Sequence, residues 1–291
     1  MKTGVYINLD HHEARRESLL SSMSKTGLNC SEYQRFRGIE PPSDAPEIQR
    51  GLRTRGRAGI WSSMIAVLEK ICTGEDFSGI VHILEDDTQF SPGFKKAFDY
   101  SVFHLLCNPQ FAGIDIIYMD YFLTPELARL ILGMPRGEES AYKFLPASKY
   151  FLACNASFLI RKKSAGYLAT ILKRILASGV ELRPLDITIR GLFQGGLING
   201  LLIAPLQSSP NVHLPDIEQT SIQTGANLAL RNSQNAHLLL RKLLSEQMTS
   251  DDCVEELSGI FGVKCPANKC LSPSDFIDFF EVCQKKFMVT F

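Results

Sequence analysis

The stretch Gly79-Ile80-Val81-His82-Ile83-Leu84 leads without a break into three carboxylates, Glu85-Asp86-Asp87. A run with so little polar relief predicts a central strand covered on both faces. The acids then emerge at its C-terminal end, where open α/β sheets bind their ligands. Strand alternation places Glu85 and Asp87 on one side and Asp86 on the other. Neighbouring carboxylates repel each other, and a hard divalent cation relieves that repulsion. Oxygen ligands suit Mg²⁺ or Mn²⁺, held by one or two carboxylates together with substrate phosphates. The plainer alternative is a solvated acidic turn that caps a helix starting near Ser91-Pro92.

At 291 residues the chain is long enough for one large α/β domain or two unequal ones. Apolar residues make up 45% and charged residues 21%, the balance of a globular protein. Lys plus Arg and Asp plus Glu both number 31, so no net charge draws the whole molecule to nucleic acid or anionic lipid. No stretch reaches the roughly 18 apolar residues that suggest a membrane span. Met1-Lys2-Thr3-Gly4 enters a strand with no apolar leader, which predicts a cytoplasmic protein. The eight cysteines (30, 72, 107, 154, 253, 265, 270 and 283) are scattered and expected to be reduced thiols.

Outward from the acidic strand, Gly4 to Leu9 reads as a first strand, with Asp10 as N-cap of the helix that follows. Tyr33 to Arg37 reads as a second short strand, and 38–49 as a polar, Pro-rich loop. The residues from Arg50 to Arg57 include four arginines, and a helix opens at Ala58-Gly59-Ile60-Trp61. A helix from Pro92, a strand ending at Asp120, two strands within 142–159, a helix over 163–176, a helix from Pro184 and a strand at 201–204 follow. Strands alternating with helices predict a mixed, mostly parallel sheet with helices on both faces. That domain is expected to span 1–225, with a helical appendix over 226–291.

Several blocks taken together resemble glycosyltransferase family 25, which includes bacterial lipooligosaccharide galactosyltransferases and collagen galactosyltransferases. Val5-Tyr6-Ile7-Asn8-Leu9-Asp10, then Arg15-Arg16 and Leu19-Leu20, is similar to the family's opening strand and arginine-bearing helix. Gly56 to Leu68 resembles its glycine-plus-helix block, and Ile83 to Asp87 its acidic motif. Ala156 to Ile160 with Ala165-Gly166-Tyr167-Leu168, then Pro184-Leu185-Asp186, then Gln219-Thr220-Ser221-Ile222, follow in family order. The resemblance covers roughly residues 4 to 223. Where the family has a Cys and a Ser-His pair, this chain has Ile60, Ser63 and Met64, so a hydroxyl remains and the imidazole is gone. The resemblance implies a GT-A-like, Rossmann-type fold. It also implies divalent-metal-dependent, inverting transfer of a hexose, galactose or glucose, from a uridine diphosphate sugar. The acceptor would be a saccharide, a lipooligosaccharide or a glycoprotein.

A sugar nucleotide carries a diphosphate whose charge grows as the glycosidic bond breaks, so a metal or cationic side chains must meet it. Asp87 is the first candidate for a direct metal ligand and Glu85 the second, with Asp86 on ribose or a bound water. His213, in the loop after the last strand, is a further candidate ligand, or else a surface histidine. The end of the first strand places Asn8, Leu9 and Asp10 against base and ribose, and Arg16 near the diphosphate or the acidic loop. Ser63 is a candidate donor-site hydroxyl. The arginine cluster over 50–57 would hold phosphates, or form a basic loop without a ligand. Trp61 would stack on a sugar or base, or pack in the core.

The acceptor hydroxyl needs a base. Asp120, at the end of a buried strand, and Asp186, at a helix start where the alternative role is an N-cap, both fit. Zinc at Cys253, Cys265, Cys270 and Cys283 competes with reduced core thiols. The basic edge of the helix near 161–174 suggests docking on the sheet, or peripheral contact with the inner face of a membrane. Two other functions suit strand-end acids. One is a metal-dependent nucleotidyl or phosphoryl transferase, against which stands the lack of a glycine-rich phosphate loop or Walker lysine. The other is a non-catalytic descendant that binds sugar or protein.

Overall fold

The computed structural model describes residues 2–52, 54–134, 142–210, 236, 238–245, 247–262 and 272–287. His213, the block from Gln219 to Ile222, and Cys265 and Cys270 lie outside them.

The sheet begins with β1 (Lys2–Asn8), followed by α1 (Glu13–Lys25), β2 (Tyr33–Arg37), α2 (Arg55–Thr73) and β3 (Phe77–Glu85). Next come β4 (Thr88–Phe90), α3 (Phe94–Cys107), β5 (Ile116–Tyr118), α4 (Pro125–Leu132), β6 (Lys143–Pro146) and the short α5 (Ala147–Tyr150). Then β7 (Ser157–Arg161), α6 (Lys162–Ala177), α7 (Leu185–Gln194), β8 (Gly200–Ala204) and β9 (Ser208–Pro210) complete the strands among the described residues. The C-terminal part holds α8 (Ser250–Phe261) and α9 (Pro273–Phe287).

Seven strands form one sheet in the order β2-β1-β3-β7-β5-β8-β6. Strands β2, β1, β3, β5 and β8 run one way, and β7 and β6 oppose them. The fold is therefore α/β with a mixed, mostly parallel sheet, as the alternation of strands and helices predicts. The sequence pattern does not show that β7 inserts antiparallel between β3 and β5. It also misses β9, a three-residue strand that pairs with β4 beside the acidic loop.

Strand β3 alternates as a doubly covered strand must. Val81 and Ile83 join the core on one face with Trp61, Met64, Leu68, Leu168 and Leu172 of α2 and α6. Leu84 joins the opposite core with Leu19, Met23, Phe94 and Phe98 of α1 and α3. Burying a large apolar side chain contributes roughly 1.5–3 kcal/mol, so slipping β3 by one residue would forfeit several such terms on both faces.

His82 lies on the α1/α3 face, fully buried between Tyr33 and Ser157, at 2.8 and 3.0 Å from its two ring nitrogens. Burial pulls its pKa down from 6.5 to about 3, so the folded protein holds it neutral. The unfolded chain takes up that proton below its ordinary pKa. This contribution to stability is therefore complete above pH 6.5 and is lost as pH falls toward 3. His82→Gln is expected to destabilise the protein at pH 7, with the gap to wild type narrowing by pH 4. Urea unfolding at both values checks this, and a gap that widens on acidification would contradict it.

The C-terminal part is continuous with the main core. Ala236, Leu239, Leu240, Leu243 and Leu244, with Cys253, Leu257, Phe276 and Phe280, belong to the cluster that holds Trp61 and Ile83. The described residues of 226–291 therefore pack against the core of the sheet domain.

Candidate active site

The parallel strands bring four groups to one edge of the sheet. Asn8 ends β1, Glu85 ends β3, and Asp86 and Asp87 form the turn beyond it. Asp120 lies two residues beyond β5, and Cys154-Asn155 precede the antiparallel β7. Asp186, in the first turn of α7, belongs to the same electrostatic cluster, since its charge acts on Glu85.

Asp86 is the most elaborately held of the acids. Asn8 Nδ2 donates to its Oδ2 at 2.8 Å, and the Arg15 guanidinium approaches its Oδ1 at 2.8 Å. The same Arg15 nitrogen reaches Asp87 Oδ2 at 3.1 Å, and His12 Nδ1 stands 3.9 Å from Asp86. Burial nevertheless raises the Asp86 pKa to about 6, while Arg15 and the Asn8 hydrogen bond hold it down. Glu85 is pushed further, to about 8, by burial and by the charges of Asp87 and Asp86. Asp87 Oδ1 is buried and has no hydrogen-bond partner among the described residues.

The arginine that meets the acids is thus Arg15, and it is buried. Arg16, the sequence candidate, points to Glu13 at 3.8 Å on the more exposed side of α1. Adjacent helical residues lie about 100° apart, so packing α1 on the sheet selects one of them. Asp10 does not cap α1. Its carboxylate is taken by Arg35 at 2.6 Å and Arg37 at 2.7 Å, and Arg35 also donates to Asn8 Oδ1 at 3.0 Å. Leu9 is half-buried beside Gly38, at the same strand end.

Other candidates have structural partners. The buried Ser63 hydroxyl accepts from the Ile39 amide at 2.8 Å and so ties α2 to the loop after β2. Trp61 is in the core, its indole donating to the Arg183 carbonyl at 2.9 Å. From the arginine cluster, Arg50 donates to the carbonyls of Leu176 and Val180, and Arg55 to that of Pro41. The Arg57 charge acts on Asp186, and Arg53 lies outside the described residues.

The two candidate bases differ sharply. Asp120 is fully buried and ion-paired with Arg241, from the C-terminal part, and the Cys154 thiol donates to its Oδ2 at 3.5 Å. Asp186 remains partly exposed. Its carboxylate accepts from the Ile187 amide at 2.8 Å, while burial raises its pKa. The N-cap of α7 is Pro184, so Asp186 is not the cap.

Among the described residues, no three His, Cys, Asp or Glu side chains are grouped closely enough to hold a metal by themselves. The chemistry of the donors still suits a hard cation. Glu85 and Asp87 are crowded carboxylates, the Glu85 pKa being raised to about 8 by burial and then by the charges of Asp87 and Asp86, and Asp87 Oδ1 is unused among the described residues. Magnesium-type sites commonly take only one or two carboxylates and complete the shell with water and phosphate oxygens. No protein-family model matches this chain, and no curated protein matches it.

Proposed function

We propose that the protein transfers a hexose from a nucleoside diphosphate sugar, with a divalent cation at Asp87 and Glu85, on a GT-A-like version of its α/β fold. The observation that carries this reading is the convergence of the β3 acids with Asn8 and Asp186 at the ligand-binding edge of the sheet. A cation bound there would neutralise charge developing on the leaving diphosphate. Arg15 holds Asp86 and Asp87 in place, and Asn8 fixes Asp86 from the neighbouring strand. Asp186 is open enough to meet an acceptor hydroxyl, and its raised pKa moves it toward the range useful for a general base. Asp120 is fully buried and paired with Arg241, which favours Asp186 as the base. At the position where the family pattern has its Ser-His pair, Ser63 serves the Ile39 amide and Met64 is buried in the core.

Uridine diphosphate with Mn²⁺ is expected to raise the melting temperature, and neither alone should match the pair. Hydrolysis of a panel of sugar nucleotides, with Mn²⁺ or in excess chelator, then identifies the donor. Absence of any shift with every nucleoside diphosphate and metal tried would remove the transferase reading and favour a non-catalytic sugar- or protein-binding role.

A further inference from the structure

Asn8 is buried at the end of β1, and both ends of its side-chain amide are engaged. Its Nδ2 donates to Asp86 Oδ2 at 2.8 Å and to the His12 carbonyl at 3.0 Å. Its Oδ1 accepts from Arg35 Nε at 3.0 Å. Turning the amide over would set its oxygen against a carboxylate and a carbonyl, and its NH₂ against a guanidinium that has no acceptor to offer. In a buried place such mismatches go uncompensated by water, so the neighbours choose the orientation.

Arg35 comes from β2, the edge strand that pairs with β1. Its Nη2 is bound to Asp10 Oδ1 at 2.6 Å, and Arg37 Nε holds the other oxygen of that carboxylate at 2.7 Å. The guanidinium suits this place, because one planar fork spans the Asn8 oxygen and Asp10 together. On the far side of Asn8, Asp86 continues the connection. Its Oδ1 meets the Arg15 guanidinium at 2.8 Å, and the same Arg15 nitrogen reaches Asp87 Oδ2 at 3.1 Å. A chain of polar contacts thus runs from the edge strand to Asp87, whose Oδ1 has no hydrogen-bond partner among the described residues.

We infer that Arg35 is a positioning residue of the proposed transfer site: it fixes the Asn8 amide with Nδ2 facing Asp86, and through Asp86 and Arg15 it holds Asp87 in place for the cation. This deepens the transferase reading above and rests on it. Among the described residues, Arg35 makes no hydrogen bond or ion pair with Asp86 or Asp87 directly, so its influence passes through Asn8. Without Arg35 the Asn8 oxygen is left buried and unsatisfied, and the amide is held from one side only. It can then tilt toward another donor, which loosens its bond to Asp86. The carboxylate shifts, and the shared arginine carries the displacement to Asp87.

Two measurements on the full chain test this. In nitrogen-15-labelled protein, without ligand, the Asn8 Nδ2 proton signals are the pair that Asn8→Ala lacks. They should exchange with solvent about tenfold faster in Arg35→Met than in wild type. Arg37→Gln, which removes a side chain that is 79% exposed, should leave them within about twofold. Arg35→Val, suited to an edge strand, takes the place of Arg35→Met if the latter fails to fold. Arg35→Lys, which restores a donor, should recover part of the protection. The Mn²⁺ concentration giving half of the melting shift with uridine diphosphate is then measured. It should rise about fivefold in Arg35→Met, but less than about twofold when the same change is made in Asn8→Ala, where the intermediary is already gone. A merely structural role would weaken Mn²⁺ equally in both backgrounds. Unchanged amide exchange in Arg35→Met overturns the inference, as does an equal Mn²⁺ effect in both backgrounds, none included. If wild type shows no shift with uridine diphosphate and Mn²⁺, it is the transferase reading that fails, and amide exchange alone decides whether Arg35 orients Asn8.

Discussion

Asp87→Asn is expected to leave the protein folded and to abolish both Mn²⁺-dependent stabilisation by uridine diphosphate and transfer. The side chain is partly exposed at the strand end and shares Arg15 with Asp86, so removing its charge leaves Arg15 paired. Removing it also relieves the repulsion that raises Glu85, which should offset much of the lost ion pair. The asparagine keeps the shape but offers a cation a neutral oxygen in place of a carboxylate. Losing one strong electrostatic contact to a developing anion typically slows catalysis roughly 100-fold or more. Turnover and the melting shift are therefore measured together. Near-normal values of both would show that Asp87 binds no metal of functional consequence.

The largest effect on stability is expected at Arg15. Its guanidinium is buried and is the near neighbour of two carboxylates, at 2.8 and 3.1 Å. Arg15→Met keeps the apolar stem and deletes the charge, leaving Asp86 buried without its cation. Breaking a buried pair in this way costs about 3–5 kcal/mol. The chain can escape part of that by protonating Asp86, whose pKa already stands near 6 with Arg15 in place. The loss should thus be greatest near pH 8 and smaller near pH 5, because the cost falls on the ionised form. Arg16→Ala, on the exposed side of the helix, should stay within about 0.5 kcal/mol of wild type. Urea unfolding of both variants settles the contrast, and equal effects at the two positions would refute the placement of α1.

Much of the architecture is legible without coordinates. The apolar run into Glu85 requires a strand covered on both faces, and alternating periodicities yield the α/β layers and the helix from Pro184. The pairing of strands is less accessible. Ser157 to Arg161 looks the same whether it runs parallel or antiparallel, because a buried strand shows no preferred face or direction. Ser208 to Pro210 is too short to carry a period at all.

At the site, the sequence by itself placed the three carboxylates at the end of β3 and Asn8 at the end of the first strand, because a continuous apolar run stops there. The expected separation of Asp86 from Asp87 by strand alternation does not hold, since both lie in the turn beyond β3 and meet the same Arg15 nitrogen. Only the tertiary structure decided that Arg15 rather than Arg16 meets the acids, and that Asp120 is paired with Arg241 and Cys154. Each depends on a partner that no local pattern specifies: Asp86 for Arg15, and Arg241 for Asp120. The energy of such contacts comes from burial, which removes competing water, and burial is created when distant segments pack.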